Sequence, residues 1–263
     1  MPFSDGRSYS CSWATDAPDG FSDEQILRIT QLMPAFSLVL EILATCTIAR
    51  NLMDTYLGHS AGVQVLDGEI YRGRNETIEA VIWISDLRGF TRMSDELDPP
   101  EILGILNDHF ERVVGAIEDH GGEVLKFMGD SVLAIFPIAK PEDETRAAEA
   151  AIDAARDAVA RVEAGNSERR ETGLREIGFG VALHLGDVVY GNIGGSSRLD
   201  FTVIGPAVNH TARIEAMCRT LDRTVLVSQK IAAVARTELT PLGSRALRGV
   251  REPHELFGLA EPD

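Results

Sequence analysis

Two aspartates stand where carboxylates can do chemistry. Asp86 closes the apolar run 78–84 and leads into a glycine loop, Arg88-Gly89-Phe90-Thr91, while Asp130 follows Gly129 in a tight turn between two further apolar runs. If their strands are neighbours, the carboxylates converge at one end of a sheet and could hold two divalent cations about 3.5–4 Å apart, the geometry of phosphoryl-transfer sites. Aspartate is also a common turn residue, and spacing alone leaves both readings open.

Other residue types add to this picture without deciding it. Gly89 lets successive backbone N–H groups point at a phosphate, with the Thr91 hydroxyl beside them, although no lysine follows as in a P-loop. Gly191-Asn-Ile-Gly194-Gly195 lacks both the spacing and the context of a dinucleotide site. Lysine occurs only at Lys126, Lys140 and Lys230, and Lys126 sits in an apolar strand close to Asp130. It is either a solvated edge residue or a donor to a ligand. Asn209 and Arg213 are four apart after Pro206, so they share a helix face, which a surface hydrogen bond would explain equally well.

The whole chain narrows the partners. Its 263 residues hold 41 acidic and 25 basic side chains, a net charge of −16, so the surface repels nucleic acid and a phosphate-bearing ligand must be drawn in by local cations or metal ions. Hydrophobic residues at 44 % and charged residues at 25 % fit a globular chain with a real core. Cys11, Cys46 and Cys218 are an odd number with no CxxC pair, which argues against a disulfide framework or zinc site and for a cytoplasmic setting. Residues 1–20 read as a flexible tail without a secretory signal. The apolar stretch 33–49 is shorter than the roughly 20 residues that a bilayer needs and contains Glu41, so the expectation is no membrane span and a helix buried against protein.

These residues need elements to hold them. Ser22 and Gln25 form a capping-box pattern that opens a first helix, expected to end or bend near Pro34. Val39, Leu43, Cys46 and Met53 then form a short seam, which suits a dimerising helix or an ordinary amphipathic one. Residues 56–77 read as a connector. From Ile78 the expected order is a strand, a helix opening at Asp98-Pro99-Pro100-Glu101, a hairpin over 123–136, an alanine-rich helix over 142–162 and a polar loop over 165–173. A second hairpin turning at Gly186-Asp187 follows, then a strand over 199–204, a helix over 206–218 and closing strands at 225–227 and 254–259. Helices between antiparallel strands predict an α+β sandwich with one sheet face covered.

Four segments in order carry a resemblance. Val81-Ile-Trp-Ile-Ser-Asp86-Leu-Arg-Gly-Phe-Thr91, Gly121-Gly-Glu-Val-Leu-Lys126-Phe-Met-Gly-Asp130, His184-Leu-Gly-Asp-Val-Val-Tyr-Gly-Asn-Ile-Gly194 and Phe201-Thr202-Val-Ile-Gly-Pro-Ala-Val-Asn209-His-Thr-Ala-Arg213 resemble the successive motifs of class III nucleotidyl cyclases. The likeness runs from about Ile78 to Leu259. It implies a ferredoxin-like, palm-type βαββαβ catalytic domain over 78–263, preceded by a helical dimerisation or regulatory segment over 21–77.

The resemblance also implies a head-to-tail homodimer that binds ATP in sites shared between chains. In it, Asp86, Asp130 and the backbone carbonyl of Leu87 hold two Mg²⁺ or Mn²⁺ ions. Lys126 and Thr202 of the other chain read the purine, Asn209 orients the ribose and Arg213 meets charge at the α-phosphate. Gly89, Phe90, Thr91 and Arg248 contact the substrate's phosphates, Arg248 standing where the family often has a lysine. Lys126 with Thr202 favours ATP, because guanylyl relatives tend to carry an acid and a small residue there, and the threonine resembles the subgroup associated with bicarbonate responsiveness. Asp187 stands where some relatives have a phosphate-binding arginine. A guanylate cyclase and a nucleotide-binding module without turnover are the alternatives. A diguanylate-type enzyme is not supported, since no GG[DE]EF string occurs.

Overall fold

The computed structural model describes residues 6, 8–68, 75–195, 198–250 and 253–260. Of the expected tail, 1–5 and 7 lie outside the described residues, as do 69–74 of the expected connector. The chain divides into two compact units, residues 1–68 and 69–263.

The first unit is helical. Ser22 caps α1 (Asp23–Leu57) with a complete capping box, in which Gln25 N–H donates to Ser22 Oγ at 3.3 Å and Ser22 N–H donates to Gln25 Oε1 at 2.8 Å. Contrary to expectation, α1 does not end at Pro34. Proline removes one N–H from the helix ladder, and at this exposed position water can take the carbonyl that loses its partner. Gly58, at φ +81°, ends the helix, and α2 (His59–Leu66) follows where a connector was expected. No residue of α1 is buried within this chain, so the helix is not packed into a core of its own chain. By length and composition α1 is long and apolar enough to cross a membrane, which corrects the reading of 33–49 as too short.

The second unit is built on β1 (Asn75–Leu87), which starts three residues before the predicted strand. Then come α3 (Phe90–Glu96), α4 (Pro99–Asp119), β2 (Glu123–Met128), β3 (Ser131–Ile138) and α5 (Glu144–Glu171). They are followed by β4 (Phe179–Gly194), β5 (Leu199–Ile204), α6 (Pro206–Thr220), β6 (Val225–Ser228), α7 (Gln229–Val234), β7 (Leu239–Arg245) and β8 (His254–Leu259). The sheet runs β2-β3-β1-β4-β6-β8-β7, with β5 pairing to β4. Its β2-β3-β1-β4 core is antiparallel and ferredoxin-like, and among the described residues only β4 and β6 pair in parallel.

Strand alternation gives the sheet two apolar faces. Val81, Trp83, Val132, Ala134 and Phe136 meet Val113 and Ile117 of α4 and the buried alanines of α5. On the opposite face Ala182, Leu226 and Leu256 meet Ile214 and Cys218 of α6. Helices therefore cover both faces, not one as expected. Two loops of the sequence reading are regular structure. Gly186 and Asp187 lie inside β4, because α6 comes so close that a Cβ on Gly186 would sit 2.9 Å from the Ala207 Cβ. Helix α5 continues to Glu171, through Gly165, over which the Arg112 guanidinium packs, and Asn166, whose buried amide bonds the N–H and C=O of Ile177 at 2.7 and 2.9 Å.

Candidate active site

The site begins with the aspartates at neighbouring strand ends. β1 and β3 pair from Glu79↔Ile138 to Ser85↔Val132, which carries Asp86 to the turn that holds Gly129 and Asp130. Gly129, at φ +68°, supplies the left-handed conformation that this turn requires. The Ser131 hydroxyl donates to Asp86 Oδ1 at 2.6 Å. Asp130 is half-buried, and burial first, then a hydrogen bond with Asp86 and the charge of Asp86, push its carboxyl up to about 6. The backbone N–H groups of Asp130 itself and of Leu87 act the other way.

Two carboxylates this close repel unless a proton or a cation lies between them, so the donor set fits a hard divalent ion. Among the described residues no group of three His, Cys, Asp or Glu is placed to hold a metal ion. The protein thus offers a carboxylate pair, and backbone, water and substrate oxygens would complete any coordination shell.

The glycine loop lies directly beyond. Gly89, at φ +75°, turns the chain from β1 into α3, placing Phe90 and Thr91 in the helix's first turn, where N–H groups have no intrahelical acceptor. Arg88 reaches away to donate to the Arg223 carbonyl at 2.8 Å.

A second group of predicted residues gathers on β2 and β5. Lys126 Nζ bonds Asp200 Oδ2 at 2.9 Å. Thr202, two residues along β5 from Asp200, shares its face, and among the described residues its buried Oγ1 has no hydrogen-bond partner. The third group is on α6 and the loop after β7. Asn209 is exposed near the helix start, Arg213 lies one turn on, and a Cβ on Gly249 would sit 3.5 Å from Arg213 Nη2. That brings the exposed Arg248 into the neighbourhood of Arg213.

The structure joins Asp86 with Asp130, and Arg213 with the Arg248 loop; it ties Lys126 to the strand of Thr202. It does not bring a cation onto the aspartate pair as a dominant influence, since burial and Asp86 lead the causes acting on Asp130. Sequence reasoning missed Ser131, Asp200 and Glu215. The Glu215 carboxyl is pushed up to about 7 by burial and then by the charge of Asp86. Ser131 follows Asp130 directly and Glu215 lies two residues past Arg213, so proximity to a motif was their only signal. A cavity of about 600 Å³ lined by residues including Arg156, Val159, Val225 and Leu259 contains none of the predicted site residues.

Comparison with known proteins sets this geometry in a family. The adenylate and guanylate cyclase catalytic domain matches residues 74–260. An adenylate cyclase of Anabaena cylindrica is 34 % identical over 162 residues, 60 % of this chain and 31 % of that protein. Adenylate cyclase 1 of Rhizobium meliloti is 32 % identical over 173 residues, 65 % of this chain and 26 % of that protein. The chain therefore spans about a third or less of these relatives' length. Among solved structures, a bacterial light-regulated adenylyl cyclase superposes with a TM-score of 0.71 at 26 % identity, over 87 % of this chain and 64 % of that one. A guanylyl cyclase superposes with a TM-score of 0.59 at 30 % identity, over 72 % and 96 %. With its family match covering most of the sequence and its aspartates paired at the sheet's end, the chain belongs to the adenylate and guanylate cyclase catalytic-domain family.

Proposed function

We propose that this chain is the catalytic part of an adenylate cyclase, converting ATP to 3′,5′-cyclic AMP and pyrophosphate as a head-to-tail homodimer with two shared sites. The observation that carries this reading is the contact between Asp86 and Asp130, which asks for cations. Two Mg²⁺ or Mn²⁺ ions, held by Asp86, Asp130 and the Leu87 carbonyl, would lower the pKa of the ribose 3′-hydroxyl and neutralise the leaving pyrophosphate. The Ser131 hydroxyl on Asp86 and the Leu87 N–H on Asp130 orient both carboxylates before a nucleotide arrives.

The partner chain supplies the rest of each site. Its Lys126 analogue in sequence, the same residue of a second copy, donates to adenine N1, while the Thr202 hydroxyl accepts from the 6-amino group. Guanine presents an N1–H and a carbonyl at those points, so the pair favours ATP. Asn209 orients the ribose for in-line attack, and the Arg213 guanidinium meets the charge that grows on the α-phosphate. Arg248 and, on the chain that holds the aspartates, the N–H groups of Gly89, Phe90 and Thr91 hold the remaining phosphates. ATP and Mg²⁺ are cytoplasmic, so the catalytic unit works there.

The test is cyclic nucleotide production by purified protein with Mn²⁺ or Mg²⁺. Wild type is expected to make cyclic AMP and Asp86→Ala to make none; a wild type inactive with both metals and both purine triphosphates sinks the reading. A guanylate cyclase is the second reading, favoured by the likeness to a guanylyl cyclase structure at 30 % identity. A higher kcat/KM with GTP than with ATP would establish it instead.

A further inference from the structure

We propose that the cavity between α5, β6 and β8 is an effector site for an amphipathic monocarboxylate, an apolar body carrying one carboxylate, whose occupancy acts on the Asp86 loop through Arg88. The ligand goes beyond the cyclase reading, and the effect on turnover rests on that reading.

At about 600 Å³ the cavity has the size of a small-molecule site. Val159 and Ala160 of α5, Val225 of β6 and Leu259 of β8 give it apolar walls. A second cavity, of about 330 Å³, shares Val159, Glu163 and Thr224 with it and has Arg88 in its wall. At the rim the acids already have partners, since Glu163 takes the Arg170 guanidinium and Asp222 faces Arg88 Nη1 at 3.6 Å. Arg156 gives one N–H to Asp153 in a long bond of 3.4 Å, and a guanidinium has five. Donors are therefore what the rim offers a ligand, and a guanidinium binds a carboxylate through two parallel N–H groups.

One wall leads to the catalytic loop. Asp222, Arg223 and Thr224 line the cavity and form the turn from α6 into β6. Among the described residues, Asp222 is the only one besides glycine with a positive φ, +50°, so this turn holds a conformation that few side chains adopt. The Arg88 guanidinium donates to the Arg223 carbonyl at 2.8 Å, and the Arg88 N–H donates to the Gly178 carbonyl at 2.8 Å. Because Arg88 directly follows Asp86 and Leu87, a ligand packed on the turn steadies the loop that presents the carboxylate pair.

Calorimetric titration of 2-naphthylacetate into the full chain, with 2-naphthylacetamide as its uncharged twin, reads the site without turnover. The acid is expected to bind at one site per chain and the amide roughly tenfold more weakly, the scale of one hydrogen bond to a charged group. Ala160 is exposed, so Ala160→Trp should fill the cavity and abolish binding of both while the melting temperature and basal rate stay at wild-type values. Arg156→Gln should lower the acid to the affinity of the amide and leave the amide unchanged. With ATP and Mn²⁺, saturating acid is expected to raise kcat/KM about fivefold, the lower end of allosteric coupling. Arg88→Gln should still bind the acid and show no such rise.

No saturable binding, an amide that binds as tightly as the acid, or undiminished binding by Ala160→Trp overturns the inference. So does bound acid that leaves the wild-type rate unchanged, or that still raises the rate of Arg88→Gln. A wild type that makes no cyclic nucleotide overturns the cyclase reading, and the calorimetry still decides whether the cavity is a carboxylate site.

Discussion

Two imidazoles are shut inside the protein in neutral form. His109 on α4 is fully buried beside Phe110 and Phe179, at ring distances of 5.8 and 5.4 Å, and burial pushes its pKa down to about 4. His184 on β4 is pushed down to about 3 by burial and then by the charge of Lys230. In the unfolded chain both return to about 6.5, so between that value and the folded pKa the unfolded state binds more protons and stability falls as pH falls. At pH 5 each histidine is expected to have removed about 2 kcal/mol relative to neutral pH. Asp130 and Glu215 act in the opposite sense, because their raised folded pKa values make them bind protons more readily when folded, which favours the fold as pH drops from 7. Denaturant melts of metal-free protein at pH 7 and pH 5 read the balance. Glu215→Gln should lose more stability on acidification than wild type, and His109→Leu less; the reverse order would refute this assignment. Neither histidine announced itself in the sequence. The spacing of Ile102, Leu106, Phe110, Val113 and Ile117 predicts the buried face of α4; Val113 and Ile117 are buried as expected, but the first half of the stripe runs through Ile105 and His109 instead, and a polar residue type inside it blurs the period.

Between elements, the closest approach that matters for the site is that of α6 to β4. Gly180 lies opposite Asp86 in the β1–β4 register, and a Cβ there would sit 2.8 Å from Glu215 Oε1 and 2.9 Å from Cys218 Cβ. Glycine thus lets the helix that carries Asn209 and Arg213 lie against the strand. Gly180→Ala must push α6 outward, and overpacking of this kind costs about 1–3 kcal/mol. The variant should melt roughly 2–12 °C lower, at about 2–4 °C per kcal/mol for a chain of this size, and turn ATP over more slowly. An unchanged melting temperature and rate would mean that α6 is free to slide. Elements with strong local signals were legible: the Ser22 cap, the Pro99-Pro100 start of α4, the Gly129-Asp130 turn and the Pro206 start of α6 all stand where the sequence put them. Glycine misled where its purpose was tertiary. Gly186 and Gly165 look like turn residues, but one makes room for Ala207 and the other for Arg112, contacts between segments that a local pattern cannot contain. Asp86 and Asp130 were readable as a pair only through their motifs; the resemblance, in which Lys126 and Thr202 read one base, brought β2 and β5 together, but nothing in the sequence marked Asp200 as the lysine's partner.

At the scale of the whole molecule, the proposed site needs a second copy, and α1 offers a surface for one. Ile26, Leu32, Leu38, Val39, Ile42, Leu43 and Leu52 are all more than 45 % exposed, around a helix on which no residue is buried. In the proposed homodimer this helix would be a contact, with Val39 and Leu43 on its seam. A shared site makes a sharp demand on mixtures. Asp86→Ala and Arg213→Ala are each expected to be inactive alone, since every site then lacks one essential group. Co-refolded in equal amounts, half of the dimers should be mixed, and each mixed dimer has one intact site, with native aspartates from one chain and native arginine from the other. Cyclic AMP production should therefore return to about a quarter of the wild-type rate under the twofold symmetry of such a dimer. If all groups of a site came from one chain, the mixture would stay inactive. Adding Leu43→Asp to both variants puts like charges on the seam, so it should lower the recovered rate and shift sedimentation toward monomer. Recovery that Leu43→Asp leaves untouched would keep the shared site but move the contact off α1, and a chain that stays dispersed only in detergent would assign α1 to a bilayer.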